Sequence, residues 1–394
     1  MKLSHDINLA YCTNVHRGNT WEETFHSLQS DVLAVRQQVC PDQPYAVGLR
    51  LGAEAARTLR DPGKLLSFQK WLDSNHCYIF TINGFPYGEF HGTRVKEQVY
   101  RPDWTSLDRL DYTLVLFEIL EQLLQPGEEG SVSTLPGSFK EFISPEEIPD
   151  QLFENLVACS QAVEKIEKAK QLDLHLGLEP EPLGLFETCP ETLSFFDQLQ
   201  KHTPDPQSLL ANIGVNYDCC HLAVEGEDAA TGLQSLDDAN IRLSKLHISS
   251  ALTARPTPSN LSILENFVEE VYLHQVVVSQ NGKVLKRVKD LDLALSQAKE
   301  SDGEIGDEWR IHFHVPLHAS PGNGLGDTGN HVLDTLDWLA QAPEKCRHLE
   351  METYTWEVLP PEMRAEKVVD QIAKEYGWTL NALQARGIEK ISDS

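Results

Sequence analysis

In the segment His175–Pro182, HLGLEPEP, a short apolar run leads directly into Glu179 and ends at a proline. Such a run predicts a buried strand, and Pro180 would end it because proline donates no backbone hydrogen bond to a sheet. The segment Asn212–His221, NIGVNYDCCH, has the same form and leaves Asp218 at its end. We therefore expect two successive strands, each with a carboxylate at its carboxyl end.

Strand-like runs of this kind alternate with amphipathic stretches along most of the chain. This rhythm favours parallel strands joined by helices. The predicted strands are Asn8–Thr13, Tyr45–Leu51, Cys77–Asn83, Ser131–Leu135, Leu174–Glu179, Asn212–Tyr217, Leu243–Ile248 and His348–Tyr354. Eight such units predict an α/β protein with a closed (β/α)8 TIM barrel, and we expect residues 1–394 to form a single domain.

Apolar residues that recur every three or four positions mark the helices of the outer ring. The clearest are Trp21–Val39, Leu107–Leu124 and Asp150–Lys170. Two further amphipathic stretches, Pro361–Ile372 and Glu375–Arg386, precede a polar tail, ISDS, that we expect to fray.

The region between the seventh and eighth predicted strands is too long for one connection. Residues 267–316 hold two further strand-like runs, so we predict an insertion at about residues 253–320 over the C-terminal face of the barrel. The pair Asn281-Gly282 indicates a two-residue β-hairpin, because both turn positions require positive φ. The following stretch, Glu300–Glu308, is expected to be a solvated acidic loop.

Composition limits the classes of function. A formal net charge of -27 argues against nucleic-acid binding, which depends on clustered Lys and Arg. The chain contains no apolar run of ~18 residues and begins without a secretory signal, so we expect a cytoplasmic protein with no membrane insertion. The eight cysteines are scattered without CxxC spacing and are expected to be reduced and mostly buried.

Four predicted strand ends carry polar side chains of the kind that bind metals. In a (β/α)8 barrel the carboxyl ends of the strands meet on one face. The four residues are Glu179, Asp218, His247 in KLHISS, and Glu352 in LEMETYTW. Three carboxylates and one imidazole suit a single divalent ion such as Mn²⁺, Mg²⁺, Co²⁺ or Zn²⁺.

Each of these residues also has an ordinary structural explanation. Glu179 could end its strand and bond a neighbouring loop. Asp218 could cap a helix that starts at its strand end, with His221 as a polar neighbour. Glu350 shares the strand face of Glu352 and is therefore an alternative to it as the metal ligand from this strand.

Five motifs carry a resemblance to a known family: YCTNVHRGNTW, LGLEPEP, VNYDCCHLAVE, KLHISSAL and RIHFHVPLH. The chain resembles, over nearly its whole length, the EboE family of metabolite-traffic proteins, within the xylose-isomerase-like (sugar phosphate isomerase/epimerase) TIM barrel superfamily. That superfamily includes sugar epimerases, hydroxypyruvate isomerase and metal-dependent endonucleases. The resemblance implies that Glu179 and Glu352 both bind the metal and exchange a proton with substrate. It also implies that His221 orients the substrate or supports a metal ligand.

The chain departs from the simple epimerase pattern in two respects. Ser249 stands where many relatives carry an acidic residue, and the insertion adds three histidines in HFHVPLH, namely His312, His314 and His318. His312 and His314 would point the same way on a strand, so they could bind a second metal or an anionic substrate.

Two residues near other strand ends are further candidates for substrate contact. His16 follows the first predicted strand and Asn83 ends the third. Each could equally reflect ordinary loop chemistry, since turns favour asparagine.

These observations favour a metal-dependent isomerase or epimerase. Its substrate would be a polyhydroxylated small molecule, such as a sugar, a sugar phosphate or a cyclitol precursor, and proton transfer would take place at a metal-bound carbonyl. One alternative is a non-catalytic metabolite-binding or traffic protein of a biosynthetic pathway, and a second is a metal-dependent hydrolase. Partners would be the polyol or sugar-like substrate, pathway enzymes, or further copies of the chain in a homo-oligomer.

Overall fold

A computed structural model describes residues 1–91, 94–300, 305–359 and 366–391 of the chain. Its strands, numbered in chain order, are β1 (Asn8–Tyr11), β2 (Tyr45–Arg50), β3 (Cys77–Asn83), β4 (Glu129–Thr134), β5 (Asp173–Leu178), β6 (Ile213–Asp218), β7 (Leu243–Ile248), β8 (Ala251–Ala254), β9 (Val276–Gln280), β10 (Lys283–Val288), β11 (Glu308–His314), β12 (Leu325–Asp327) and β13 (His348–Met351).

Eight of these strands form one sheet of parallel pairs in the order β1-β13-β7-β6-β5-β4-β3-β2. A parallel bridge between Cys12 and Gly48 joins the two edge strands, β1 and β2, and nearly closes the sheet. The predicted (β/α)8 barrel is therefore confirmed. All eight predicted strands are present, with ends that differ by a few residues at most.

Most of the helices follow the strands of this sheet along the chain, and two lie within the insertion between β7 and β13. They are α1 (Trp21–Ser27), α2 (Leu33–Val39), α3 (Ala53–Leu59), α4 (Pro62–Ser74), α5 (Leu107–Leu123), α6 (Asp150–Lys170), α7 (Cys189–Gln200), α8 (Pro206–Asn212), α9 (Cys219–Glu225), α10 (Ala229–Asp238), α11 (Pro258–Leu264), α12 (Leu291–Glu300), α13 (Gly329–Gln341) and α14 (Val368–Gln384). The predicted helix Trp21–Val39 is interrupted by a π-helical turn, Leu28–Val32, between α1 and α2. Its start is fixed by a capping box between Thr20 and Glu23.

The two amphipathic stretches predicted near the end of the chain are not separate helices. A single helix, α14, runs through the gap between them. Neither Ala373 nor Lys374 is a helix breaker, and the buried face of the helix continues from Ile372 to Leu383. Residues 360–365, which include the start of the first stretch, lie outside the described residues, as do residues 392–394 of the polar tail.

The predicted insertion between the seventh and eighth barrel strands forms a second, antiparallel sheet of order β10-β9-β11-β8-β12. Its β9–β10 hairpin turns at Asn281 and Gly282, with φ of 51° and 73°, as the sequence predicts. Strand β11 lies against the barrel, since His314 Nδ1 bonds the Glu352 carbonyl at 2.7 Å. Residues 301–304 of the predicted acidic loop lie outside the described residues.

Two expectations from composition can be compared with the structure. Within the described residues, no helix is both long and apolar enough to cross a membrane. All eight cysteines fall within these residues, are buried and form no disulfide, as expected.

Candidate metal centre

The four residues predicted as metal ligands converge at the carboxyl ends of their strands. Glu179 and Glu352 each lie one residue beyond β5 and β13, Asp218 ends β6, and His247 lies within β7. All four are buried, and one ligand atom from each lies within 4.8 Å of the others. His247 Nδ1 is the shared neighbour: it lies 3.2 Å from Asp218 Oδ2, 3.2 Å from Glu352 Oε2 and 3.4 Å from Glu179 Oε1.

The electrostatics of this group fit a divalent cation. Burial by itself lowers the pKa of His247, but the carboxylates of Glu352 and Glu179 outweigh it and raise that pKa well above its usual value. One imidazolium charge cannot offset three carboxylates in a buried position, and uncompensated buried charge is costly. The donor set therefore has the composition and the surplus negative charge that suit a divalent ion.

The orientation of His247 is set from deeper in the barrel. Its Nε2 lies 2.9 Å from Glu350 Oε2, and the Lys245 ammonium bonds the same oxygen. Burial raises the pKa of Glu350, but Lys245 and His247 outweigh it and lower the pKa to about 2. Because an ionised Glu350 accepts a hydrogen bond from Nε2, Nδ1 of His247 is the nitrogen that faces the three carboxylates, and a bound cation would replace its proton.

The glycine at position 48 makes room for the Glu350 carboxylate. A Cβ atom at Gly48 would lie 2.0 Å from Glu350 Oε1 and 2.6 Å from the Tyr11 carbonyl oxygen. No side chain fits there, so glycine is required by the close approach of Glu350 to β2.

Amide side chains hold the remaining oxygens of the two glutamates. Asn216 Nδ2 donates to Glu179 Oε2 at 2.6 Å. Asn14 and Asn83 both donate to Glu352 Oε1, at 2.7 and 3.2 Å. These bonds leave Glu179 Oε1 and Glu352 Oε2 facing His247, where a metal ion would be held.

Asp218 combines the two roles that its sequence context suggests. Its Oδ1 accepts the backbone N–H of His221 at 3.0 Å and so caps α9, while Oδ2 faces His247. Ser249 Oγ donates to the same Oδ1 at 2.7 Å. Burial raises the pKa of Asp218, but His221 and His247 lower it well below its usual range. Ser249 thus supports a carboxylate of the centre.

A cavity lined in part by Glu179 and Glu352 leads to this centre. Its inner end is polar and includes Glu179, Glu181, His221, His312 and Glu352. Its wall is largely aromatic or apolar and includes Phe85, Phe90, Val95, Val99, Tyr100, Tyr272, Leu273 and Tyr354. Lys96 also lines it, but its ammonium bonds Asp290 at 2.6 Å and the Glu269 carbonyl at 3.0 Å.

The predicted substrate contacts separate into two groups. Asn83, His221 and His312 line the cavity, and the ring centroid of His314 lies 5.7 Å from that of His221. His16 lies instead in a neighbouring depression, where it bonds the Tyr11 hydroxyl at 2.8 Å. His318 is half-buried beside Gln371 and Lys374 of α14.

Several residues of the site have no individual signal in the sequence. Lys245 and Asn216 occupy strand positions that alternation assigns to the barrel interior, yet their partners become visible only in the closed barrel. Glu181 could have been noticed, since LEPEP places it two residues after Glu179. Burial and the Glu179 carboxylate raise the pKa of Glu181 well above its usual range.

No family model and no curated protein matches this chain. Among solved structures it is similar to a xylose isomerase domain protein from Planctomyces limnophilus, with a TM-score of 0.52 and 14% identity over 97% of this chain and 98% of that chain. It is also similar to a D-tagatose 3-epimerase-like protein, with a TM-score of 0.49 and 12% identity over 97% and 100% of the two chains. A third is an IOLI protein with a bound zinc atom, with a TM-score of 0.48 and 13% identity over 96% and 99%.

The barrel topology and the likeness to the Planctomyces limnophilus protein show a xylose-isomerase-like TIM barrel fold. At this level of identity the likeness concerns the fold alone. The narrower resemblance to the EboE family stays a prediction.

Proposed function

We propose that this chain is a metal-dependent isomerase or epimerase that acts on a polyhydroxylated small molecule. The observation that carries the proposal is the convergence of Glu179, Asp218, His247 and Glu352, two of which also line a cavity. A divalent ion held by these residues would polarise a substrate carbonyl and so acidify the neighbouring C–H group.

The two glutamates are placed to move the proton. In the barrel, β6 and β7 separate the strands that precede Glu179 and Glu352, so the two carboxylates approach the centre from different directions. In an epimerisation one carboxylate takes the proton from one face of the carbon and the other returns it to the opposite face. Asn216 holds Glu179, and Asn14 and Asn83 hold Glu352, which keeps both carboxylates in position.

The cavity wall supports a neutral substrate. Among its described lining residues, Lys96 is the sole lysine or arginine, and its ion pair with Asp290 offsets its charge. Phosphate recognition ordinarily uses arginine or lysine, or backbone N–H groups at a helix N-terminus. We therefore favour an unphosphorylated sugar or cyclitol precursor over a sugar phosphate, with Tyr and Phe side chains packing against the C–H faces of its ring.

A deuterium-exchange experiment tests the reaction. The Mn²⁺-loaded protein is incubated in D2O with a panel of ketoses and cyclitol ketones, and loss of the proton next to the carbonyl is followed by NMR. We expect exchange with at least one compound, and we expect Glu179→Gln to slow it by about 10²-fold or more, because positioned acid–base groups contribute at that level. Glu154→Gln, an exposed glutamate on α6, is the matched control and should exchange at the wild-type rate.

The outcomes separate the alternatives. Undiminished exchange by a folded Glu179→Gln variant would overturn the proton-transfer role of that residue. Tight binding of a compound by the wild-type protein without any exchange would favour a non-catalytic metabolite-binding role, as the resemblance to the EboE family of metabolite-traffic proteins suggests. Release of a cleaved product would favour metal-dependent hydrolysis.

A further inference from the structure

Three histidines pack together beside the candidate centre of Glu179, Asp218, His247 and Glu352, called the four-ligand centre from here on. His221 belongs to α9, while His312 and His314 belong to β11 of the inserted sheet. The ring centroid of His312 lies 4.5 Å from that of His221 and 5.5 Å from that of His314. All three side chains are more than nine-tenths buried. This packing brings an element of the insertion into direct contact with the barrel site.

The hydrogen bonds of His312 fix which nitrogen carries its proton. Gln275 Nε2 donates to the Pro182 carbonyl at 2.9 Å, so Gln275 Oε1 is left as an acceptor. His312 Nδ1 lies 2.8 Å from that oxygen and must donate to it. Nε2 is therefore an unprotonated lone pair, and it has no hydrogen-bond partner among the described residues.

His221 presents its other nitrogen in the same way. Its Nδ1 lies 3.2 Å from the Pro180 carbonyl oxygen, which can only accept a hydrogen bond. The hydrogen of a neutral His221 is thus on Nδ1, and its Nε2 lone pair is available as a ligand. This is the second-sphere arrangement by which proteins orient metal-binding imidazoles.

Glu181 supplies the matching oxygen ligand, a carboxyl group whose proton a bound cation would displace. It lines the same inner end of the cavity, is 5% exposed, and its Oε1 has no hydrogen-bond partner within the described part of the chain. One ligand atom from each of Glu181, His221 and His312 lies within 4.8 Å of the other two. One oxygen of Glu181 thus lies close to one nitrogen of each imidazole, and Glu181 Oε1 and His312 Nε2 have no hydrogen-bond partner among the described residues.

We propose that Glu181, His221 and His312 form a second metal site, of the class that takes Zn²⁺ or Co²⁺. Two imidazoles and one carboxylate are the protein ligands of many catalytic zinc sites, in which a further position stays open to water or substrate. That open position would face the cavity, which all three residues line. The site goes beyond the proposed function, because the four-ligand centre and its proton transfer do not require it.

A competing arrangement of the same histidines is less suitable. Asp218, His221 and His314 also bring one ligand atom each within 4.8 Å of one another. Both oxygens of Asp218 are already engaged, however: Oδ1 caps α9 and accepts from Ser249, and Oδ2 faces His247. Glu181 has a free oxygen and Asp218 does not, so the site is assigned to Glu181.

Metal stoichiometry tests the second site. Metal-stripped full-length protein is titrated with Zn²⁺ by calorimetry and with Co²⁺ by visible absorption, which reports the ligand geometry. The wild-type protein is expected to bind two equivalents, and His312→Ala is expected to bind one. Glu181→Gln is expected to lose the same metal equivalent. A folding defect in one variant would not explain a loss shared by both, and circular dichroism checks the fold of each. His318→Ala changes a histidine of the same segment outside the cavity and should still bind two.

The His247→Ala variant distinguishes this site from the four-ligand centre. If both sites exist, a folded His247→Ala variant binds one equivalent and keeps the cobalt spectrum that His312→Ala loses. Wild-type binding of a single equivalent that is unaffected by His312→Ala would overturn the second site and leave the first intact. A metal lost in His312→Ala but unaffected by His247→Ala would instead support the second site and count against the four-ligand centre.

Discussion

The side chain of Glu350 tests how far a residue outside the ligand set controls metal binding. It accepts hydrogen bonds from His247 Nε2 and from the buried Lys245 ammonium. Glu350→Gln keeps an acceptor for His247 but removes the charge. We expect the affinity for Mn²⁺ to fall about 10- to 100-fold, as is typical when such a supporting partner is changed. A chelator-competition titration measures this.

The same substitution should also destabilise the fold, because it leaves the Lys245 ammonium buried beside Ser133 without a counter-charge. Breaking one partner of a buried pair costs about 3–5 kcal/mol, whereas removing both charges costs much less. The double variant Lys245→Met/Glu350→Gln is therefore expected to recover most of the stability in urea unfolding but not the metal affinity. Wild-type affinity in Glu350→Gln would show that Glu350 does not tune His247.

The residues of this site also show what a sequence can and cannot predict. The convergence of Glu179, Asp218 and His247 could be predicted because each is a metal-binding type at the carboxyl end of an apolar run, while their binding of a metal stays a prediction. Strand alternation placed Glu350 and Glu352 on one face. It could not decide which of the two belongs to the candidate ligand set, because they differ in depth along the barrel axis. Glu352 meets the amides at the mouth, and Glu350 lies one step deeper beside Lys245.

On the scale of single elements, helix α14 carries a buried acid with a consequence for stability. Glu375 Oε1 accepts from the Leu317 backbone N–H at 3.1 Å and from Thr353 Oγ1 at 2.8 Å, which ties α14 to the loops after β11 and β13. Burial raises the pKa of Glu375 from 4.5 to about 7, although both hydrogen bonds lower it.

The sign of the pH effect follows from this raised pKa. Between pH 4.5 and about 7 the unfolded chain has released the proton of Glu375 and the folded chain still holds it, so the free energy of unfolding falls as pH rises. The loss is complete above about pH 7 and amounts to about 3 kcal/mol, from roughly 1.4 kcal/mol per pKa unit. We expect Glu375→Gln to be about as stable as wild type at pH 4.5 and more stable at pH 8.

Urea unfolding at the two pH values measures the difference between variant and wild type, and other titrating groups cancel in that difference. The control is Glu154→Gln on α6, whose exposed side chain should give the same small difference at both pH values. A Glu375→Gln effect that does not change with pH would mean that the folded protein holds Glu375 with an ordinary pKa.

The elements themselves were predictable where local chemistry determines them. The hairpin at Asn281-Gly282 formed as expected because both residues adopt positive φ readily. Strands β8 and β12 were missed, since each is short and is defined by its partners in the inserted sheet. Helix α14 was predicted in two parts, Pro361–Ile372 and Glu375–Arg386, and the structure joins them in one helix from Val368 to Gln384.

For the molecule as a whole, two electrostatic contributions to stability can be separated. The net charge of -27 spreads repulsion over the entire surface, while the four-ligand centre concentrates three carboxylates at one buried point. Any salt screens the first contribution, because the Debye length falls from about 30 Å at 0.01 M to about 8 Å at 0.15 M. Only a cation that binds at the four-ligand centre reduces the second contribution, the repulsion among its three carboxylates.

We therefore expect thermal unfolding to respond in two steps. Raising NaCl from low to physiological concentration should raise the Tm of the wild-type protein and of a folded His247→Ala variant alike. Adding Mn²⁺ at fixed ionic strength, at 100 times its Kd, should raise the free energy of unfolding of the wild-type protein by about 2.7 kcal/mol, because the ion binds the folded state alone. The variant should show little of this second increase. An equal response to Mn²⁺ in both proteins would place the stabilising ion outside the four-ligand centre, and a response in the wild-type protein alone would assign it to the centre that His247 completes.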